Sequence, residues 1–259
     1  MATNPERPIG APRRFGFVIP SLFALILLGT FLALGTWQVQ RKAWKEQLIK
    51  TLEQRLSSPP TALPGRDRWP ALTPIEHEFH RVKFIAAYAP GDEALVYAAP
   101  TSLRPDVVGP GYWVLARAKL PSGEQIVVNR GFAPEGRQQP ATRGEGKFTG
   151  PQESVGVMRW PEERGLFVPK DDPGRNLWFV RDPVAIAAAK GWGEVPPFYI
   201  DLEEPQPPGG LPRPGRLQAN LRNAHLQYAL TWYGLALVVV AMFIALLARP
   251  GSRRSGSRT

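Results

Sequence analysis

His77, His80 and His225 are the three histidines of this 259-residue chain, and it has no cysteine. His77 and His80 form an H-x-x-H pair, which is half of a metal site. Such a site needs a third or fourth ligand at suitable geometry. None stands nearby in the sequence, so two surface histidines in a proline-bounded segment account for the pair. His225 is different. It lies three residues before Tyr228, at the edge of a long apolar run. If a helix starts there, His225, Tyr228, Trp232 and Leu235 follow at spacings of three, four and three and share one face. An ionisable side chain at such a helix end can simply face water. A neutral imidazole beside aromatic rings can also be an axial ligand to haem iron. Spacing leaves both readings open.

Other chemistry is excluded more firmly. Without cysteine there is no disulfide framework, Cys-based zinc site, iron–sulfur cluster or thiol nucleophile. Copper(I) sites favour Cys and Met, and methionine occurs only at Met1, Met158 and Met242, which argues against copper delivery. No G-x-S-x-G elbow, P-loop or dinucleotide fingerprint is present. Gly109-Pro110-Gly111 lies before a strand, without the helix that a phosphate site needs. Asp171-Asp172 and Glu203-Glu204 sit beside prolines and read as solvated turns. No nucleophile-and-base constellation remains, so the chain is not expected to be an enzyme.

Two apolar segments must position His225. Phe15 to Gln40 is free of charge, and its apolar part, Phe17 to Trp37, is 21 residues long; Tyr228 to Ala248 is also 21 residues. About 20 residues cross the hydrocarbon core as a helix. Trp37 closes the first segment and Tyr228, Trp232 and Tyr233 open the second, as interfacial aromatics do. The first run exceeds the h-region of a signal peptide, so it reads as an uncleaved anchor.

The formal net charge is +10. Much of it sits in two tails: Arg7, Arg13 and Arg14 against Glu6, and Arg249, Arg253, Arg254 and Arg258 without an acid. Basic tails beside apolar runs indicate membrane orientation rather than nucleic-acid binding. The expected order is a cytoplasmic tail (1–14), a first span (15–37), an external domain (38–227), a second span (228–248) and a cytoplasmic tail (249–259). Arg41, Lys42, Lys45, Lys50 and Arg55 oppose this orientation, but long domains translocate largely regardless of charge.

The domain begins with a helical extension, 38–56, on which Trp37, Arg41, Trp44 and Leu48 share a face. Ser57-Ser58-Pro59-Pro60 ends it. Beyond a Pro-, Gly- and Arg-rich connector the pattern is mainly strand. Val82–Tyr88 and Glu93–Ala98 are expected to pair across Ala89-Pro90-Gly91-Asp92. Tyr112–Leu120 and Glu124–Arg130 are expected to pair across Pro121-Ser122-Gly123. Ser154–Trp160, Leu177–Val180 and Phe198–Leu202 are further strands. Asp182 caps a helix that opens with Pro183 and stops at Gly191. The fold class is therefore a membrane protein in which two transmembrane α-helices flank a β-rich α+β extramembrane domain.

Three stretches resemble one known family. They are Leu34-Gly35-Thr36-Trp37-Gln38-Val39-Gln40-Arg41 followed by Trp44-Lys45, then Val127-Val128-Asn129-Arg130-Gly131-Phe132-Ala133-Pro134, then Asn223 to Ala236 with His225 near its start. In this order they are similar to the surfeit locus protein one family of cytochrome c oxidase assembly factors. Phe132 departs from that family, which usually has Trp there.

The resemblance implies an assembly factor that binds haem a and assists its insertion into the catalytic subunit of a haem–copper oxidase. It implies His225 as the haem contact, with that subunit and haem a synthase as partners. Around it, Trp37, Trp232 and Tyr228 would offer ring faces to the macrocycle. Arg41 and Arg222 would offer guanidinium groups to the propionates. Family members occur in bacterial plasma membranes and mitochondrial inner membranes. The 14 residues before the apolar run are short for an imported presequence, so a bacterial plasma membrane with a periplasmic domain is expected. The alternative function is a membrane scaffold for the oxidase subunit that never touches haem.

Overall fold

The computed structural model describes residues 15–98, 101–143, 148 and 150–248. Both basic tails lie outside the described residues. The chain divides into a helix pair, within 1–48 and 222–259, and a β domain, 49–221.

The helix pair consists of α1 (Phe15–Ser57) and a later helix, His225–Leu247. The expected span and its extension are one unbroken helix, 43 residues long. Charged residues begin at Arg41, yet nothing between Trp37 and Leu56 breaks helical propensity. Both helices are long and apolar enough to cross a membrane, and little of either apolar stretch is buried in the protein. The second begins three residues earlier than the expected span, at His225, where the Asn223 side-chain oxygen accepts the His225 N–H (3.4 Å).

Within the β domain, β1 (Thr61–Ala62) and α2 (Pro74–His77) precede β2 (Arg81–Ala98). His77 Nδ1 accepts the Thr73 N–H (3.2 Å), and the His77 and His80 rings meet edge to face at 6.2 Å. The expected hairpin between residues 82 and 98 does not form. Both halves belong to one long strand, with a shift of register between Tyr88 and Glu93 where Gly91 takes a φ of +78°. A bulge of this kind bends a strand, and here the bend closes a barrel.

The first half of β2 pairs with β5 (Pro151–Arg159), and the second half with β3 (Gly111–Lys119). The hairpin of β3 with β4 (Gln125–Pro134) forms as expected, Lys119 opposite Gln125. A two-residue strand β6 (Leu177–Trp178) pairs with β2, and α3 (Pro183–Lys190) follows it. Asp182 caps α3 by accepting the Val184 and Ala185 N–H groups (3.0 Å each), and Gly191 ends it at φ +66°. Then β7 (Tyr199–Glu204) lies parallel to β4 and antiparallel to β5, completing the ring β2-β3-β4-β7-β5. The last helix, α4, is His225–Leu247.

Alternation along the strands feeds three apolar clusters, one inside the barrel, one under α3 and a small one of Leu95, Val114 and Ala133. On β4, Ile126 and Val128 enter the first with Phe84, Met158, Phe198 and Ile200. Val127 enters the second with Trp113, Trp178, Ile186 and Trp192. Burial on both faces explains why β4 reads as a near-continuous apolar run.

The Asn129-Arg130-Gly131 motif is structural. Asn129 Nδ2 donates to Asp201 (2.6 Å), its Oδ1 accepts the Gly131 N–H (3.1 Å), and Arg130 pairs with buried Glu93 (2.8 Å). Phe132 is buried against Trp113, so the departure from the family's usual Trp keeps a ring contact.

Candidate ligand site at the mouth of the helix pair

The two helices touch along a seam with a seven-residue repeat. On α1 the less exposed positions include Ala24, Leu28, Phe31, Gly35, Gln38, Lys42 and Lys45, at alternating spacings of four and three. On α4 they are His225, Ala229, Trp232, Ala236, Val239, Phe243 and Leu246, spaced likewise. The alternation of four and three is the spacing of helices that pair along one seam. It revises the stripe expected on α4: Tyr228 is 56% exposed and Leu235 40%, while Ala229 and Ala236 are buried. In a membrane, small side chains let helices approach, and lipid solvates large apolar ones equally well.

The mouth of the seam holds the chemistry. His225 Nδ1 donates to Gln38 Oε1 at 2.7 Å. The amide oxygen only accepts, so Nδ1 carries the hydrogen and Nε2 keeps the lone pair. One layer further in, Phe31 and Trp232 stack, with centroids 5.7 Å apart and planes 29° from parallel. On one flank Tyr233 lies over Gly35, and its hydroxyl meets Thr36 Oγ1 at 3.2 Å. Outside the apolar part, Lys45 Nζ donates to the Arg222 carbonyl (2.6 Å) and Asn223 Nδ2 to the Lys42 carbonyl (3.4 Å). With Arg41, Lys42, Lys45 and Arg222 against Glu46, the mouth is electropositive.

His225 and Trp232 are thus in the seam. Trp37 is half-exposed, Arg41 stacks over Trp44 (4.3 Å) and Tyr228 is exposed. Helical spacing still places Arg41 and Tyr228 nearby, whereas Trp37, next to Gln38 in sequence, faces another side of α1. Arg41 is three positions beyond Gln38, and Tyr228 three beyond His225, on the flank away from Tyr233. Arg222 supplies its carbonyl to the seam while remaining exposed. Gln38 and Phe31 were missed from the sequence. The signal for both was present: in an antiparallel pair with this repeat, positions 38, 31 and 24 meet 225, 232 and 239.

Two candidate membrane spans that flank a closed β-barrel domain, with an oriented imidazole where the spans meet, define a membrane protein with a β-barrel extramembrane domain. The comparisons with known proteins make this specific. The model of the SURF1 family matches residues 25–237. A SURF1-like protein of Monosiga brevicollis is 37% identical over 235 residues, covering 87% of this chain and 86% of that protein. Surfeit locus protein 1 of Xenopus tropicalis is 36% identical over 84% of this chain and 72% of its own length. That of Homo sapiens is 35% identical over 82% and 72%. The chain belongs to the SURF1 family.

Proposed function

We propose that this protein is an assembly factor for haem–copper cytochrome c oxidase, which receives haem a at the mouth of its helix pair and assists its insertion into the catalytic subunit. The observation that carries the reading is the Gln38–His225 hydrogen bond. A metal-binding histidine characteristically donates its second ring nitrogen to a neighbouring acceptor, which fixes tautomer and ring orientation. His225 is arranged in that way within the structure of the helix pair. Haem is cargo here, and the residues present suit it. His225 Nε2 is an iron ligand, Trp232, Trp37 and Tyr228 are ring contacts, and Arg41 and Arg222 are partners for propionates. The chain acts by binding and handing over, without making bonds of its own. Its partners are the oxidase catalytic subunit and haem a synthase.

His225→Ala is expected to leave the protein in the membrane at normal amount, because one polar side chain at a span's edge contributes little to insertion. Pigment co-purified from cells making haem a should be lost or spectrally altered, and the oxidase should carry less haem at its catalytic centre. Trp232→Ala and Arg41→Ala should weaken retention more mildly. An unaltered spectrum with full oxidase assembly would sink the ligand assignment. A wild-type protein that never carries pigment yet supports assembly would establish the scaffold reading instead.

The basic tails support an orientation with both termini on the cytoplasmic side. The barrel is then periplasmic in a bacterial plasma membrane, the location we favour over the mitochondrial inner membrane. Reporter fusions after Ala248 should be active in the cytoplasm, and fusions near Gly150 in the periplasm. The reverse pattern would overturn the orientation.

A further inference from the structure

Leu166 and Phe167 are the most exposed large apolar side chains among the described residues, each 98% exposed. A built loop presents them. The Val168 N–H donates to the Gly165 carbonyl (3.1 Å), which makes them the two central residues of a β-turn. Beneath the turn, Arg164 donates to the Pro169 carbonyl and to Asp171, tying the two legs of the loop together. Asp171 in turn accepts the Phe179 N–H (2.7 Å), and Asp172 exchanges backbone hydrogen bonds with Leu177 (2.8 and 3.0 Å). The loop is thus fastened to β6, while its apolar tip stands in the open.

The tip has aromatic neighbours at the same end of the barrel. The Phe179 ring lies 6.2 Å from Tyr97, and Tyr97 lies 6.1 Å from Tyr112, its partner across β2 and β3. Tyr97 is half-exposed. Leucine and phenylalanine at a tip with tyrosines behind them suit the edge of a bilayer. The apolar groups reach acyl chains, and the phenol hydroxyls stay among headgroups. Charge does not oppose this. Arg164 and Asp171 neutralise each other, and Glu163 and Lys170 flank the tip with one charge of each sign.

Chain length brings a bilayer within reach. The connection from β2 to β3 belongs to this end, because it joins the two strands just beyond Tyr97 and Tyr112. Its Leu103 carbonyl accepts the Gln218 N–H (2.8 Å). Gln218 stands seven residues before His225, where the second membrane helix begins. Seven residues extend at most about 25 Å. This end of the barrel is therefore tethered close to the membrane, where even a small apolar tip acts at high effective concentration. A protein partner would need a pocket shaped to a convex tip, whereas a bilayer yields to one.

We propose that the loop 164–171 is a membrane-docking element, which inserts Leu166 and Phe167 into the bilayer that anchors the chain and so fixes the orientation of the barrel on it. The proposal rests on the two membrane spans and is independent of the haem reading.

The test uses the full-length protein in phosphatidylcholine nanodiscs. The chain has no cysteine, so single spin labels can be placed at Phe167→Cys, at Ser122→Cys in the turn at the opposite end of β3, and at Leu25→Cys on the exposed face of α1. EPR compares collision with oxygen, which concentrates in lipid, against collision with a water-soluble nickel chelate. The oxygen-to-nickel ratio at position 167 should approach that at 25 and exceed that at 122 several-fold. Adding Leu166→Asp should return it to the value at 122, and an exposed tip residue can be changed without disturbing the fold. A ratio at 167 equal to that at 122 overturns the proposal and leaves the tip to a protein partner. A label at 167 shielded from both reagents overturns it in favour of a second copy of this chain. A high ratio that Leu166→Asp does not lower shows that the apolar tip is not the cause, and overturns it too. A low ratio at 25 removes the spans, and the proposal falls with them.

Discussion

Gly131→Ala and Gly131→Val are both expected to cut the amount of folded protein several-fold, by about the same extent. Gly131 has a φ of +119°, and a Cβ there would lie 2.2 Å from the Arg213 carbonyl and 2.4 Å from Pro214 N. That approach is enforced. Phe132 N–H donates to the Arg213 carbonyl (2.9 Å) and Arg213 N–H to the Phe132 carbonyl (2.8 Å), which straps the returning chain to β4. The backbone strain costs on the order of 1–3 kcal/mol, and overpacking a further 1–3 or so. Typical domains have only about 5–15 kcal/mol to lose. Because the clash begins at Cβ, alanine does not relieve it. Gly123→Ala is the control, since Gly123 has a φ of +102° but open space around it. It should cost only the strain. Membrane-fraction abundance and protease resistance read the effect, and pigment per surviving molecule should be unchanged. Gly131→Ala behaving like Gly123→Ala would show that the strap yields. Normal abundance with pigment lost would move the motif into the ligand site.

Local chemistry made much of this fold legible in the sequence. The β3–β4 hairpin announces itself by Pro121-Ser122-Gly123 between two apolar runs, and α3 by Asp182-Pro183 and Gly191. The spans are legible because a bilayer demands length and absence of charge, both of which are properties of a segment alone. The break at Ala89-Pro90-Gly91-Asp92 misled because a turn and a bulge draw on the same residues. Only the partners of β2 on either side, β3 and β5, decide that the chain bends there instead of reversing. The candidate site divides in the same way. His225 stands out as an imidazole at the edge of an apolar run. Gln38 does not, because an amide at a membrane rim has many reasons to be there, and its role appears only when α1 and α4 are in register. The spacings of three and four put Tyr228 on one stripe with His225 and Trp232. The seam is built instead on Ala229 and Ala236, whose small size is a property of the packed pair.

Gly35→Leu is expected to force the two spans apart without expelling either from the membrane. Gly35 is buried in the seam, and an ideal Cβ there would stand 2.7–2.9 Å from ring atoms of Tyr233. Tyr233 is held by its hydroxyl at Thr36 and flanked on its own helix by Trp232, which stacks on Phe31. Gly35→Ala should therefore act more mildly, by tilting one ring, whereas the branched leucine has no room on that flank. Each span is apolar enough to stay inserted by itself, and association depends on close packing. The loss should thus fall on the pairing and, through it, on the His225–Gln38 bond. The absence of cysteine makes the measurement direct. Spin labels on Leu25→Cys and Leu237→Cys sit at lipid-exposed positions, one on each helix. Their distance distribution by pulsed EPR should be narrow in the parent and longer and broader with Gly35→Leu. Pigment retention should fall in parallel, although no proposed ligand contact has been altered. A distribution unchanged by Gly35→Leu would mean that the spans are held together by something other than this glycine's contact, and that His225 does not depend on it for its position.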